Sequence, residues 1–207
     1  MKSILDKMRS DAENKGGGNA YLKMADKEQL RIRFLQELDE QAPGYDKDKG
    51  LALYVRLHQN PENFKKQAVC TYEDEGDCWA CNQIDSNPKW RAKGRLFVNV
   101  LVTDKTGERT VKVLNQNASF EKHCIVQLLE YAEEYGTITD RDYKIKRTGT
   151  DMNNTSYTLT PLDKADTPDL EGLELHDLSK FVRNIAPDKQ EEFFTAGEPE
   201  KSGTDGW

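Results

Sequence analysis

A chain of 207 residues, 36% hydrophobic and 32% charged, suits one domain with appendages, a modest core and much solvated surface. No run approaches the roughly 20 apolar residues that cross a bilayer, and the start, Met1-Lys2-Ser3-Ile4-Leu5-Asp6, lacks the apolar stretch of a secretion signal. A membrane partner is therefore not expected, and a reducing cytoplasmic compartment is. The formal charge of −7 speaks against nucleic acid only as an average: residues 162–207 hold twelve acids and five bases, which is the whole excess, and residues 1–161 are formally neutral.

Residues 1–20 read as an N-terminal arm, a turn or two of helix running into Lys15-Gly16-Gly17-Gly18-Asn19. Its bases Lys2, Lys7 and Arg9 would touch phosphate or a neighbouring subunit, unless the segment is a plain solvated terminus. Leu30-Arg31-Ile32-Arg33-Phe34-Leu35 alternates at period two, so a strand is expected with Ile32 and Phe34 inward and Arg31 and Arg33 outward. A second strand over residues 51–57 delivers His58.

His58, Cys70, Cys78 and Cys81 follow one another as His-x11-Cys-x7-Cys-x2-Cys. Three thiolates and an imidazole complete a tetrahedral zinc shell with no open position, and a Cys-x2-Cys turn brings two sulfurs to one ion. A structural zinc ion is expected, because the acidic link Thr71 to Asp77 has no core of its own to bury. A disulfide among the three cysteines, or inert thiols with His58 elsewhere, are the competing readings.

In the next stretch Lys89, Arg91, Lys93, Arg95, Phe97 and Asn99 take odd positions and Trp90, Ala92, Gly94, Leu96, Val98 and Val100 even ones. As one strand this sets four cations at intervals of roughly 6.6 Å, followed by a ring and an amide. The ordinary alternative is a solvated strand face. Val111-Lys112-Val113-Leu114 pairs back across Asp104-Lys105-Thr106-Gly107, and a helix is expected from Ser119 to a stop at Gly136. Within it, Cys124 belongs to the core and His123 to the surface. Strands over residues 142–147 and 155–160 follow. Beyond Pro161 the chain turns acidic, with a short amphipathic helix over Leu173 to Ile185 halted by Pro187. The acidic end would serve solubility, hold partner proteins, or mimic DNA on the basic face.

The order of strands, insertion, strand pair, helix and strand pair gives a mainly β fold with some α (α+β). The expectation is a five-stranded OB-fold barrel over residues 21–161, with a zinc-ribbon-like subdomain inserted at about 56–91 and an acidic C-terminal tail over 162–207. Ile32-Arg33-Phe34-Leu35, the zinc quartet in its ligand order, and Asn99-Val100-Leu101-Val102 after a basic lead-in together resemble the T4-type phage single-stranded-DNA-binding, or helix-destabilising, proteins. The likeness spans roughly residues 25–160. It implies a groove for single-stranded DNA with Phe97 as a groove aromatic, an arm used in cooperative self-association, and an acidic tail for replication and recombination proteins, in a phage-infected host cytoplasm. The chain departs from the family in having Leu96 where another aromatic is expected, a shorter tail, and an arm without a dense Lys/Arg cluster.

The expected DNA contacts are Arg31, Arg33, Lys89, Arg91, Lys93, Arg95, Lys144, Lys146 and Arg147 to phosphate, with Phe97, Tyr143 and Tyr157 stacking on bases. Such a protein coats and protects single strands without reading sequence, in phage DNA replication, recombination and repair. The alternative is a zinc-ribbon adaptor for replication or transcription proteins that touches DNA only incidentally. No enzyme is expected: the chain has no Gly-x4-Gly-Lys loop and no Gly-x-Ser-x-Gly, and the loop at Asp46 to Gly50 misplaces its glycine for calcium and has Leu57 at the twelfth position.

Overall fold

In the computed structural model, which describes residues 20–117, 124–150 and 154–196, the chain divides into two units. The first runs up to Tyr54 and resumes over Arg95–Ser179; the second comprises Val55–Gly94 and the chain from Lys180 on. The expected arm, Ser119, His123 and the last residues from Gly197 lie outside the described residues.

Seven strands are described: β1 (Gln29–Phe34), β2 (Leu53–Gln59), β3 (Gln67–Val69), β4 (Lys93–Thr103), β5 (Arg109–Asn117), β6 (Arg141–Thr148) and β7 (Ser156–Lys164). In the first unit these strands pair antiparallel: β5 with β4, β4 with β1, β1 with β6, and β6 with β7. The fold is thus mainly antiparallel sheet with a few helices, and the sheet is not closed into a barrel. Its two edges are protected instead of joined. On β5 the chain at Tyr21 forms a parallel bridge to Val113, and Leu22 N–H donates to the Val113 carbonyl (2.9 Å). On β7 the helix α3 (Ile125–Tyr135) takes both free polar groups of Leu159: Leu159 N–H donates to Gln127 Oε1 (2.6 Å) and Tyr131 Oη–H donates to the Leu159 carbonyl (3.1 Å).

The inward alternation read from the sequence holds. Ile32 and Phe34 of β1, Leu96, Val98, Val100 and Val102 of β4, Leu114 of β5, Tyr143 and Ile145 of β6 and Leu159 of β7 bury one core with Ile125 and Leu128 of the helix and Cys124 just before it. Helix α3 ends where Gly136 takes a left-handed φ of 71°, the conformation a C-terminal glycine supplies at least cost. The following turn hangs on a buried carboxylate. Glu37, 2% exposed, accepts from Thr139 Oγ1 (2.7 Å), Thr137 Oγ1 and the N–H groups of Ile138 and Thr139 (3.2 Å each). Only a glycine fits at Gly44, where a Cβ would land on Glu37, Thr137 and Thr139.

In the second unit β3 pairs with β2, and two one-turn helices, α1 (Tyr72–Glu75) and α2 (Trp79–Asn82), flank Cys78. The expected helix halted by Pro187 is replaced by irregular chain with a 3-10 turn at Leu178–Phe181, and helix α4 (Pro187–Thr195) begins at Pro187. A proline at the first helical position costs no hydrogen bond, since that N–H has no partner in a helix anyway. Residues 162–196 are accordingly folded: β7 runs through Pro161 to Lys164 as an edge strand that tolerates a proline, and Phe194 is 2% exposed.

Candidate metal centre and the basic face

Strand β2 carries His58, the end of β3 leads into Cys70, the turn between α1 and α2 carries Cys78, and α2 itself carries Cys81. Their ligand atoms all lie within 4.8 Å of one another, and His58, Cys70 and Cys78 are buried. His58 Nε2 is 3.4 Å from the sulfurs of both Cys78 and Cys81, and Cys70 Sγ is 3.6 Å from Cys81 Sγ. A tetrahedron with Zn–S of about 2.3 Å and Zn–N of about 2.05 Å has edges of about 3.6 Å between N and S and about 3.8 Å between sulfurs. These three separations lie within about 0.2 Å of those edges, and all three cysteines are free, Cys70 and Cys81 standing far beyond the roughly 2.05 Å of a disulfide. The four residues can therefore hold a metal ion, as the spacing anticipates.

The surroundings favour the neutral imidazole that ligation requires, and they oppose the thiolates that a metal must draw from Cys70 and Cys81. His58 Nδ1 lies 2.6 Å from the Trp90 carbonyl, a position that takes the Nδ1–H donor and leaves Nε2 free to ligate. Burial lowers the His58 pKa, so the ring stays neutral. Burial raises Cys70, and lifts Cys81 to about 12; for Cys78 burial acts upward too, but hydrogen bonds from the Thr71 and Cys81 backbones carry the net shift downward. Sequence reasoning missed one neighbour altogether. Gln190 of α4 is fully buried, with Oε1 3.3 Å from Cys78 Sγ and 3.4 Å from Ala80 N, and with Nε2 donating to Thr71 Oγ1 (3.0 Å) and the Ile185 carbonyl (3.2 Å).

The basic residues distribute differently from expectation. Lys89 and Arg91 are exposed but belong to a 3-10 turn at Pro88–Trp90 and its exit, where Asn87 accepts from Lys89 N–H; β4 starts only at Lys93. The four cations are thus not aligned on one strand, because Pro88 and the Asn87 cap favour a turn. Lys93 is exposed, and Arg95 is half-buried. Arg33 is 3% exposed: its Nε donates to Asp142 (2.6 Å) and its Nη1 to the carbonyls of Ala165 (3.3 Å) and Asp166 (3.0 Å). Phe97 and Tyr143, expected to stack on bases, are 2% and 0% exposed. Tyr143 points inward, edge-on to Phe34 with centroids 5.1 Å apart, and Tyr157 packs against the same core.

For Arg33 the physical reason is that the outer side of β1 and β4 is covered at Arg33 and Asn99. The segment 165–178 lies over it, held by Arg33 and by the buried Asn99, whose Nδ2 donates to the His176 carbonyl (2.9 Å) and whose Oδ1 accepts from His176 N–H (3.0 Å). Phe97 is on that side of β4 as well. Arg147 is half-buried and donates to the Met24 carbonyl and to Thr155 Oγ1 (3.3 Å).

What remains outward is a row across the strands. The register sets Arg109, Thr103, Arg31, Lys144 and Thr160 opposite one another on β5, β4, β1, β6 and β7, hence on one face. Arg109, Arg31, Lys144 and Thr160 are exposed, and Lys146 stands two residues along β6 beside them. Arg31 shares Asp142 with Arg33, contacting it at 2.5 Å, yet keeps 56% of its side-chain surface exposed. Among the described residues the large exposed rings are Tyr54 (58%), Phe64 (68%) and Tyr72 (57%).

Among the described residues no helix is long and apolar enough to cross a membrane. No family model, curated protein or solved structure matches this chain.

Proposed function

We propose that the protein binds single-stranded DNA without reading its sequence and performs no chemistry on it, as the resemblance to the T4-type helix-destabilising proteins implies. The observation that carries this reading is the cross-strand row of Arg109, Arg31 and Lys144 on the outer face of the first unit's sheet. Cations fixed on a rigid sheet neutralise phosphates and release counterions whatever the bases are. The strand connectivity supports an OB-type core: the order β5-β4-β1-β6-β7, with a helix between β5 and β6, is that of a five-stranded Greek-key barrel left open between its third and fifth strands. With Phe97 and Tyr143 buried, the exposed ring that the first unit offers for base stacking, among the described residues, is Tyr54.

The metal is zinc and its role is structural. Three sulfurs and one nitrogen fill a tetrahedron and leave no position for a reacting water, and bound zinc adds about 10–16 kcal/mol of folding free energy in small domains of this kind. The acidic end and the arm are assigned, by the resemblance alone, to replication partners and to self-association on the strand. The test is the melting of an alternating dA–dT duplex. Preferential binding to the single strand pulls the equilibrium and lowers the melting temperature in proportion to the logarithm of protein concentration; an unchanged or raised melting temperature overturns the proposal.

A further inference from the structure

We infer that Gln190 is a supporting residue of the metal centre, and that metal binding and the docking of helix α4 are thermodynamically linked through it. The inference rests on the reading of the four-residue cluster as a zinc site. Gln190 comes from a part of the chain more than a hundred residues from its nearest ligand, Cys81, yet it is 0% exposed and touches Cys78 Sγ (3.3 Å). Burying a carboxamide in an apolar cluster is unfavourable unless its hydrogen bonds are made. Here they are made to the metal loop itself: Ala80 N–H and the Thr71 hydroxyl, which in turn donates to the Asp77 carbonyl (2.6 Å).

Two further contacts lead from the ligands to the same helix. His58 is held by the Trp90 carbonyl, and the Trp90 ring meets Phe194 edge-on at 5.0 Å. Trp79, between Cys78 and Cys81, stacks on Phe194 at 6.0 Å and 19°. Beside them, Val69 N–H donates to the Arg183 carbonyl (2.9 Å), and Lys66 donates to the carbonyls of Phe194, in α4, and Ala196, just past its end. The surface on which α4 rests is therefore the ligand loop, and a metal that fixes the loop fixes the helix. By reciprocity, loosening the helix weakens the metal by the same factor.

A carboxamide suits this position because its oxygen accepts from Ala80 N–H while its nitrogen donates to the Thr71 hydroxyl and the Ile185 carbonyl. Glutamate has nearly the same shape but cannot donate to either oxygen and adds a like charge beside the cysteine ligands.

The experiment begins with the zinc content of the full wild-type chain, then measures chelator competition for the wild type, Gln190→Met and Gln190→Glu, and hydrogen exchange over residues 187–195 with and without metal. The expected result is zinc bound about 10-fold more weakly by Gln190→Met and towards about 100-fold more weakly by Gln190→Glu, the range seen when supports of metal ligands are lost. Metal removal should speed exchange in α4 while leaving α3 unchanged, and in the cobalt-loaded protein the sulfur-to-metal charge-transfer band should move in Gln190→Met. Wild-type zinc affinity in both variants, or exchange in α4 indifferent to metal, overturns the inference. A wild type that binds no zinc overturns the metal reading first, and the linkage with it. Should the Gln190 variants not fold, Phe194→Leu gives the reciprocal test: faster exchange in α4 with several-fold weaker zinc supports the linkage, and unchanged zinc affinity refutes it.

Discussion

Replacing Arg31, Arg109 and Lys144 together by alanine removes the cross-strand row while touching no core residue. Arg109, Arg31 and Lys144 lie on three strands, with β4 between the first two, so adjacent-strand spacing of about 4.8 Å spreads the three charges over about 14 Å. Each cation that neutralises a single-strand phosphate contributes about 0.7 to the slope of log affinity against log salt, so the triple variant should lose about 2 units of slope. Between 50 and 200 mM salt that is a difference of about 20-fold in how much affinity the two proteins lose. Arg31 should contribute the least of the three, because Asp142 already accepts from it at 2.5 Å, and its loss leaves Asp142 paired with Arg33. The assay is anisotropy of a labelled oligo-dT at four salt concentrations, with circular dichroism to confirm folding and Lys105→Ala, on the exposed turn between β4 and β5, as the control that keeps its slope. A triple variant with the wild-type slope refutes the reasoning, since the row would then carry no phosphate.

Cys78→Ser should lower bound zinc from one per chain to a substoichiometric level, read by elemental analysis, and reduce the thermal stability of the second unit before it reduces DNA affinity. Gly44→Ala should destabilise the first unit by about 1–3 kcal/mol in denaturant titration, because a methyl there displaces the Glu37 carboxylate from its threonine partners. Asp140 is held below the ordinary carboxylate range mainly by its hydrogen bond from Arg141 (2.8 Å), with Lys164 adding to it. A depressed carboxyl stabilises the fold above its unfolded pKa of about 3.9 and loses that contribution as the pH falls through the folded value. The difference in melting temperature between wild type and Asp140→Asn should therefore be largest at neutral pH and shrink below about pH 4.

The sequence was most legible where a single local rule governs. Period-two alternation placed Ile32, Phe34, Leu96, Val98 and Val100 in the core, Gly136 ended its helix, and the ligand spacing brought His58 and the three cysteines together. It misled where a distant segment covers a strand. Arg33 reads as an outward cation until residues 165 and 166 accept its hydrogen bonds, and Asn99 reads as a groove amide until His176 meets it. Polar alternation distinguishes two sides of a strand but does not say that one side is free, and the covering chain was hidden by its own acidity. Pro187 misled for another reason, since the same residue stops one helix and starts the next, and only the tertiary surface available to Phe194 decides between them. Gln190 carried no signal at all: a lone glutamine on a polar nine-residue helix becomes a neighbour of the metal ligands only through the fold. The cross-strand row was likewise invisible residue by residue, because it exists only in the register of β5, β4, β1 and β6.

The most direct test of the account is a titration of metal-assayed protein into fluorescent oligo-dT and a matched duplex at several salt concentrations. The account predicts one zinc per chain and tight, salt-sensitive binding with a clear preference for the single strand. Micromolar or weaker binding to both nucleic acids at moderate salt, with zinc in place, would contradict it and make the chain a zinc-stabilised adaptor for other proteins.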